Sequence, residues 1–233
     1  PAIVNPYDLF ALEEALRLKD KFGGKVTMLC MGPPQAEEAL KRCISFGADD
    51  AILVTDRAFA GADTLATSYA LAAAIRQIEK EQAIDLVFTG KQTIDGDTAQ
   101  VGPGIAQRLG MNLLTYVSKI NTVDLDGRTL TVERRAEGGV QRLKTTLPSL
   151  ITMLEGTNEM RFASMDDMLR AGRCPVRRWN KDDAGIADAT RIGLKGSPTI
   201  VSKVFAPKAR SQRAEMQAVG QGTGVNDVCL NLL

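Results

Sequence analysis

The residues with the most chemistry to offer fall in one stretch, Leu86 to Gly104, which reads LVFTGKQTIDGDTAQVGPG. A buried strand running into a glycine-containing loop and then a helix places a ligand beyond the carboxyl end of the strand in an open α/β sheet. A helix is expected over 98–109, with Asp97 as its N-cap and Gln100 completing a capping box. The backbone N–H groups of such a helix start can receive a phosphate. Asp95 and Asp97 repel phosphate, so a nucleotide would use backbone amides, the Thr98 hydroxyl and Gln100, leaving the carboxylates to caps or hydroxyls. Lys91 could offset that charge or simply be solvated. Asp97 and Gln100 could equally do no more than cap a helix, and spacing alone leaves both readings open.

Composition narrows the chemistry further. The chain has no histidine, so the usual general base, proton shuttle and imidazole metal ligand are missing. Cys30, Cys43, Cys174 and Cys229 are too widely spaced for a zinc site or a redox CxxC pair, and read as buried thiols of a reducing compartment. A net charge of +1, with Lys and Arg scattered among Asp and Glu, gives no clustered basic surface for nucleic acid. No apolar run approaches the ~20 residues that span a bilayer and no signal peptide opens the chain. Membrane insertion is not expected, and a cytoplasmic location is.

Periodicity supplies the elements that must position the loop. A helix is expected over 8–22, ended by Gly23-Gly24, and a strand over 26–31. Pro33-Pro34 opens a second helix through about Phe46. Strands at 51–55 and 86–89 flank an alanine-rich helix at 63–80. Strand and helix alternate as in right-handed βαβ units, which predicts an α/β fold: a Rossmann-like parallel sheet with helices on both faces. Alternating runs at 116–125, 129–135 and 140–146, with turns at Asp126-Gly127 and Gly138-Gly139, predict an added antiparallel meander. The segment 149–154 is expected to return to the core. Two prolines and a weak apolar run at the start suggest that a first strand is missing from the sequence. After Gly172 the periodicity fades, so the expected organisation is a nucleotide-binding domain over 1–172 and an extended C-terminal arm over 173–233 that packs on a partner.

The stretch Thr89 to Gly104 resembles the nucleotide loop of electron-transfer flavoprotein beta subunits. Other landmarks occur in the same order: Asn5-Pro6, Met31-Gly32-Pro33, Gly47-Ala48-Asp49, Val132-Glu133-Arg134 before Gly138-Gly139, and Asn158-Glu159 with Arg161. The resemblance implies the small subunit of a heterodimer that passes electrons between flavins, with an alpha subunit holding a second FAD. It also implies a nucleotide site made by Asn5, Pro6, Tyr7 and Asp8, by Met31, and by Gly90, Lys91, Gln92, Thr93, Ile94, Asp95, Gly96, Asp97, Thr98, Ala99, Gln100 and Val101. The AMP-binding form of the family has more acidic and amide residues where Gly96, Thr98 and Ala99 stand. The smaller version here resembles the form that binds FAD and supports electron bifurcation, with NADH as the donor. AMP in a non-bifurcating carrier is the alternative, followed by a non-redox nucleotide-binding regulatory module. An ATP-pyrophosphatase-like enzyme would need a glycine- and serine-rich phosphate loop, which is absent here unless it belongs to the missing first strand.

The segment 158–173 resembles the family's recognition loop, which implies docking of an acyl-CoA-type dehydrogenase near Met165. Read without the resemblance, Met165 and Met168 suit the core face of a helix. Arg134 and Arg135, adjacent on a strand, must point to opposite faces; one could lie near the partner's flavin or make a surface ion pair. Trp179 is expected to anchor the arm.

Overall fold

The computed structural model describes residues 2–206. Helix α1 (Pro6–Phe22) begins on a proline, whose missing N–H would have no helical partner there, and buries Ala11, Leu12 and Leu16. It stops at Gly23, where φ is +77°. Then come β1 (Thr27–Met31), a 3-10 turn at Pro34–Ala36, α2 (Glu37–Phe46), β2 (Asp50–Val54), α3 (Thr64–Glu81), β3 (Leu86–Gly90) and α4 (Val101–Leu109). The Asp63 carboxylate caps α3 by accepting the N–H groups of Leu65 and Ala66.

The two-residue period of the strands explains why helices cover both faces. Met28, Cys30, Ala51 and Leu53 pack with Leu40 and Ile44 of α2. Their alternates Leu29, Met31, Ile52 and Val54 pack with Ala70, Ala74 and Ile78 of α3. Small alanines on α3 let the helix lie close to the sheet. The strands β4 (Asn112–Asp124), β5 (Thr129–Ala136) and β6 (Gly139–Thr146) form the antiparallel meander, and β7 (Ser149–Met153) returns in parallel between β3 and β4. Helix α5 (Met165–Arg173) precedes β8 (Arg177–Trp179).

The expected single sheet is divided into two, ordered β1-β2-β8 and β3-β7-β4-β5-β6. The physical sign is exposure at the facing ends of each order. All five residues of β1 stay partly exposed, whereas β7, bonded on both sides, is wholly buried. Residues 2–5 form no strand.

The boundary expected after residue 172 is not a boundary of packing. Strand β8 pairs in parallel with β2, Val176 joins the α2 core, and Ala184 and Ile192 join the α3 core. The first compact unit runs through Ile200. Periodicity missed this because the buried residues of 173–200 come from single turns and a three-residue strand, too short for any period to register. Trp179 does anchor this stretch, packing in the α3 core and accepting the Thr55 N–H at its carbonyl. Residues 201–206 form no helix or strand, and the rest of the expected arm, with Cys229, lies outside the described residues.

Candidate functional site

The site begins where the start of α1 meets the carboxyl end of β3. A Cβ at Gly90 would lie 2.6 Å from the Tyr7 carbonyl carbon and 2.8 Å from the Asp8 nitrogen, so only glycine admits this contact. The Asp8 carboxylate accepts the Gly90 N–H at 2.6 Å and the Asn5 side-chain amide at 3.0 Å. That amide also donates to the Gln92 carbonyl at 2.9 Å. Asn5 to Asp8 and Gly90 to Gln92 thus meet although 82 residues separate Asp8 from Gly90. Lys91 is neither solvated nor aimed at the loop: its Nζ pairs with Glu155 at 3.1 Å and lies 5.1 Å from the Tyr7 ring centroid.

The loop itself departs from the capping box expected of it. Helix α4 starts at Val101, three residues later than expected, and its N-cap Gln100 makes no capping bond. Asp97 and Ala99 both take left-handed backbone, with φ of 53° and 55°, which no N-cap adopts. The two would-be capping side chains are engaged elsewhere: the Gln92 amide donates to the Asp97 carboxylate, and the Thr64 hydroxyl donates to the Gln100 amide oxygen at 2.8 Å. The Gly96 N–H is held by the Thr93 hydroxyl at 3.2 Å. The capping-box spacing misled because a left-handed turn, stabilised by side-chain bonds inside the loop, won over early helix nucleation.

This arrangement fits a nucleotide on two grounds. Ile94, Asp95, Asp97 and Thr98 are exposed. The first-turn donors of α4 are the N–H groups of Val101 and Gly102, Pro103 having none, and they have no intrahelical partner. The Asn5 amide oxygen and the Thr89 hydroxyl are also buried with no hydrogen-bond partner among the described residues. Such orphaned groups are uncommon in native proteins and mark where a ligand or water completes the structure. Gly102 keeps α4 close, since a Cβ there would lie 2.9 Å from the Thr89 hydroxyl. Met31 stands apart from this set: it ends β1 and packs in the α3 core, partly exposed.

Burial raises the Asp8 carboxyl above its ordinary value, against the opposing hydrogen bonds from Asn5 and Gly90. Burial, reinforced by the Asp8 charge, also pushes the Cys30 thiol up to about 11 and the Cys43 thiol to about 12. Both thiols stay protonated, and Cys30, Cys43 and Cys174 are free.

Two further features stand out, the first without any sequence signal. Tyr116 has a φ of 56° at a register shift of β4 against β7, and its N–H is held by the Thr152 hydroxyl at 3.1 Å. An aromatic residue in left-handed backbone is strained. Near it, Arg134 donates to the Thr115 hydroxyl at 3.1 Å while its Nε is buried without a partner. Arg135 is exposed, as strand alternation requires.

The second is Phe162, fully exposed at 99% on the segment before α5. Met165, Met168 and Leu169 continue an exposed apolar stripe along α5, so the core reading of these methionines does not hold. The segment is anchored from behind. Arg161 pairs with buried Glu13 at 2.9 Å and with Asp20 at 2.8 Å, and the Asn158 amide donates to the Phe10 carbonyl at 3.0 Å. Burial works against the Glu13 charge, but hydrogen bonds from Arg161 and Arg17 hold its carboxyl below the ordinary value.

Comparison with known proteins places this geometry. Residues 1–184 match the electron transfer flavoprotein domain. The chain is 70% identical over 216 residues to Protein FixA of Azotobacter vinelandii, covering 93% of this chain and 77% of that protein. It is 46% identical to the electron transfer flavoprotein subunit beta of Clostridium acetobutylicum, covering 91% and 79% respectively. It is 44% identical to subunit CarD of the caffeyl-CoA reductase-Etf complex of Acetobacterium woodii, covering 100% and 85%. A domain match over most of the chain, on a fold that brings the loop and the α1 start together, establishes that this chain belongs to the electron transfer flavoprotein family as a beta-type subunit.

Proposed function

We propose that the loop Gly90 to Val101 holds FAD rather than AMP, in a heterodimer whose alpha subunit carries a second FAD. The observation that carries this reading is the left-handed backbone at Asp97 and Ala99, in a loop with small residues at Gly96 and Ala99, together with the orphaned Asn5 and Thr89 groups. A diphosphate with a ribityl chain needs close approach to backbone over several atoms, and a turn of small residues permits it. Val101 and Gly102 N–H groups would bind the diphosphate. Asn5 and Thr89 would complete their hydrogen bonds on the ribose or ribityl hydroxyls, and Asp8, held by Gly90, fixes Asn5 in place. A bound flavin accepts electrons as a pair and can release them singly. On this reading NADH is the donor, the two flavins lead to two routes, and the activity is electron bifurcation in the cytoplasm. Among the described residues no helix is long and apolar enough to cross a membrane.

The exposed Phe162 to Leu169 stripe supports the second half of the reading, docking of an acyl-CoA-type dehydrogenase near Met165. CarD, by its name, serves a caffeyl-CoA reductase complex. The deciding experiment is extraction of nucleotides from the purified heterodimer, resolved and counted by chromatography. Two FAD per heterodimer is expected. One FAD and one AMP would make the protein a simple electron carrier.

A further inference from the structure

A recess of about 340 Å³ lies between the first turns of α3, the end of α4 and the 3-10 turns at Ala189–Arg191 and Gly193–Gly196, lined among others by Tyr69, Arg108, Arg191 and Lys195. The Tyr69 ring is part of its lining. The Arg191 guanidinium sits 4.3 Å from the ring centroid and that of Arg108 5.7 Å from it. Arg108 is fixed in position: its Nε donates to the Ser68 hydroxyl at 3.3 Å and one Nη to the Leu65 carbonyl at 3.2 Å. Arg76 joins from behind by donating to the Arg108 carbonyl.

Among the described residues Arg76, Arg108, Arg191 and Lys195 form no ion pair, although arginines elsewhere in the chain are paired repeatedly. Asp188 lies near Arg191 but gives its carboxylate to the Thr190 N–H at 2.9 Å and the Thr190 hydroxyl at 2.6 Å. Burial first, and then repulsion from Arg191 and Arg76, lowers the Arg108 pKa. Like charges gathered at one ring, with the Arg191 guanidinium and the Lys195 ammonium making no side-chain hydrogen bond among the described residues, invite an anion that can accept several donors at once.

We propose that this recess binds a compact phosphate polyanion of the diphosphate type, held by Arg191, Lys195 and the remaining N–H groups of Arg108. The volume, at the small end of ligand sites, and the concave shape favour a compact anion over an acidic protein segment. Either free diphosphate or the diphosphate of a nucleotide would satisfy the chemistry.

The test is isothermal titration of the purified heterodimer, its bound nucleotides retained, with inorganic pyrophosphate, with ADP and with adenosine. Pyrophosphate should bind once per heterodimer, and adenosine should not bind. ADP binding as tightly as pyrophosphate would identify a nucleotide diphosphate as an acceptable source, and pyrophosphate alone would identify the free anion. The double variant Arg191→Gln, Lys195→Gln, both exposed positions, should weaken pyrophosphate at least about tenfold through loss of charge-assisted bonds. A further variant, Arg135→Gln, removes an exposed cation elsewhere and should leave binding unchanged. No pyrophosphate binding to the parent complex, or equal binding to the double variant, overturns the proposal.

Discussion

Asp8 shows how one buried side chain can organise a site without reaching the ligand. Its two oxygens are spent on Gly90 and Asn5, which makes it a positioning residue rather than a direct contact. Because burial raises its folded pKa, the native state holds that proton more tightly than the unfolded chain does. Its stabilising contribution is therefore complete below the ordinary value of 3.8 and is lost as pH rises through the raised folded value. Asp8→Asn removes the titration. It still accepts the Gly90 N–H, and Asn5 can turn its orphaned amide oxygen toward the new donor. Urea unfolding from about pH 4 to 7 should show a weaker fall in stability with pH for Asp8→Asn than for the parent. Asp8→Ala leaves the Gly90 N–H unpaired and strips Asn5 of one partner, and should cost about 2–3 kcal/mol at low pH and less as pH rises through the folded value of Asp8. Equal pH profiles for parent and Asn variant would mean that Asp8 does not titrate in this range.

At the scale of elements, the decisive contact is α1 against β3. Nothing local demands a glycine at the end of β3: Gly90 has ordinary backbone, and its need comes from the Tyr7 and Asp8 backbone pressed against it. Gly90→Ala must push α1 outward or bend β3, and overpacking of this kind costs about 1–3 kcal/mol. The displacement acts on Asn5 and Gln92 directly, so nucleotide retention after gel filtration should fall more steeply than thermal stability. Full retention with unchanged stability would show that α1 gives way freely. The start of α4 teaches a related lesson. Asp97 and Gln100 carry the spacing of a cap, yet Gln92 and Thr64, from other elements, claim their side chains and leave the loop in left-handed turns.

Across the whole molecule, the loop Gly90 to Val101 and the Phe162 to Leu169 stripe lie on segments that share one support, since α1 contributes Asp8 to the first and Glu13 to the anchor of the second. The stripe is exposed while the residues behind it are tied down, the arrangement expected of a presented contact rather than of a loose end. Phe162→Ala should slow electron delivery to a partner dehydrogenase at limiting partner concentration by about tenfold or more, as loss of an aromatic anchor does, and Met165→Ala by less. Nucleotide content and heterodimer assembly should be unchanged in both. Loss of assembly instead would make the stripe part of the subunit interface.

The sequence by itself determined the alternation of strands and helices, the meander, and the stretch in which a nucleotide site must be sought, because strand period, helix period and Gly-marked turns are local properties of the chain. It also supplied the family, through the residues of the loop from Thr89 to Gly104. Tertiary structure alone decided the rest. It divided the parallel sheet in two, placed β8 beside β2, and drew Ala184 and Ile192 into the core from a segment with no period to betray them. It also spent the charge of Lys91 on Glu155, strained Tyr116 against β7 and exposed Phe162. Each of these depends on which distant backbone or side chain arrives as a neighbour, and no spacing along the chain encodes that.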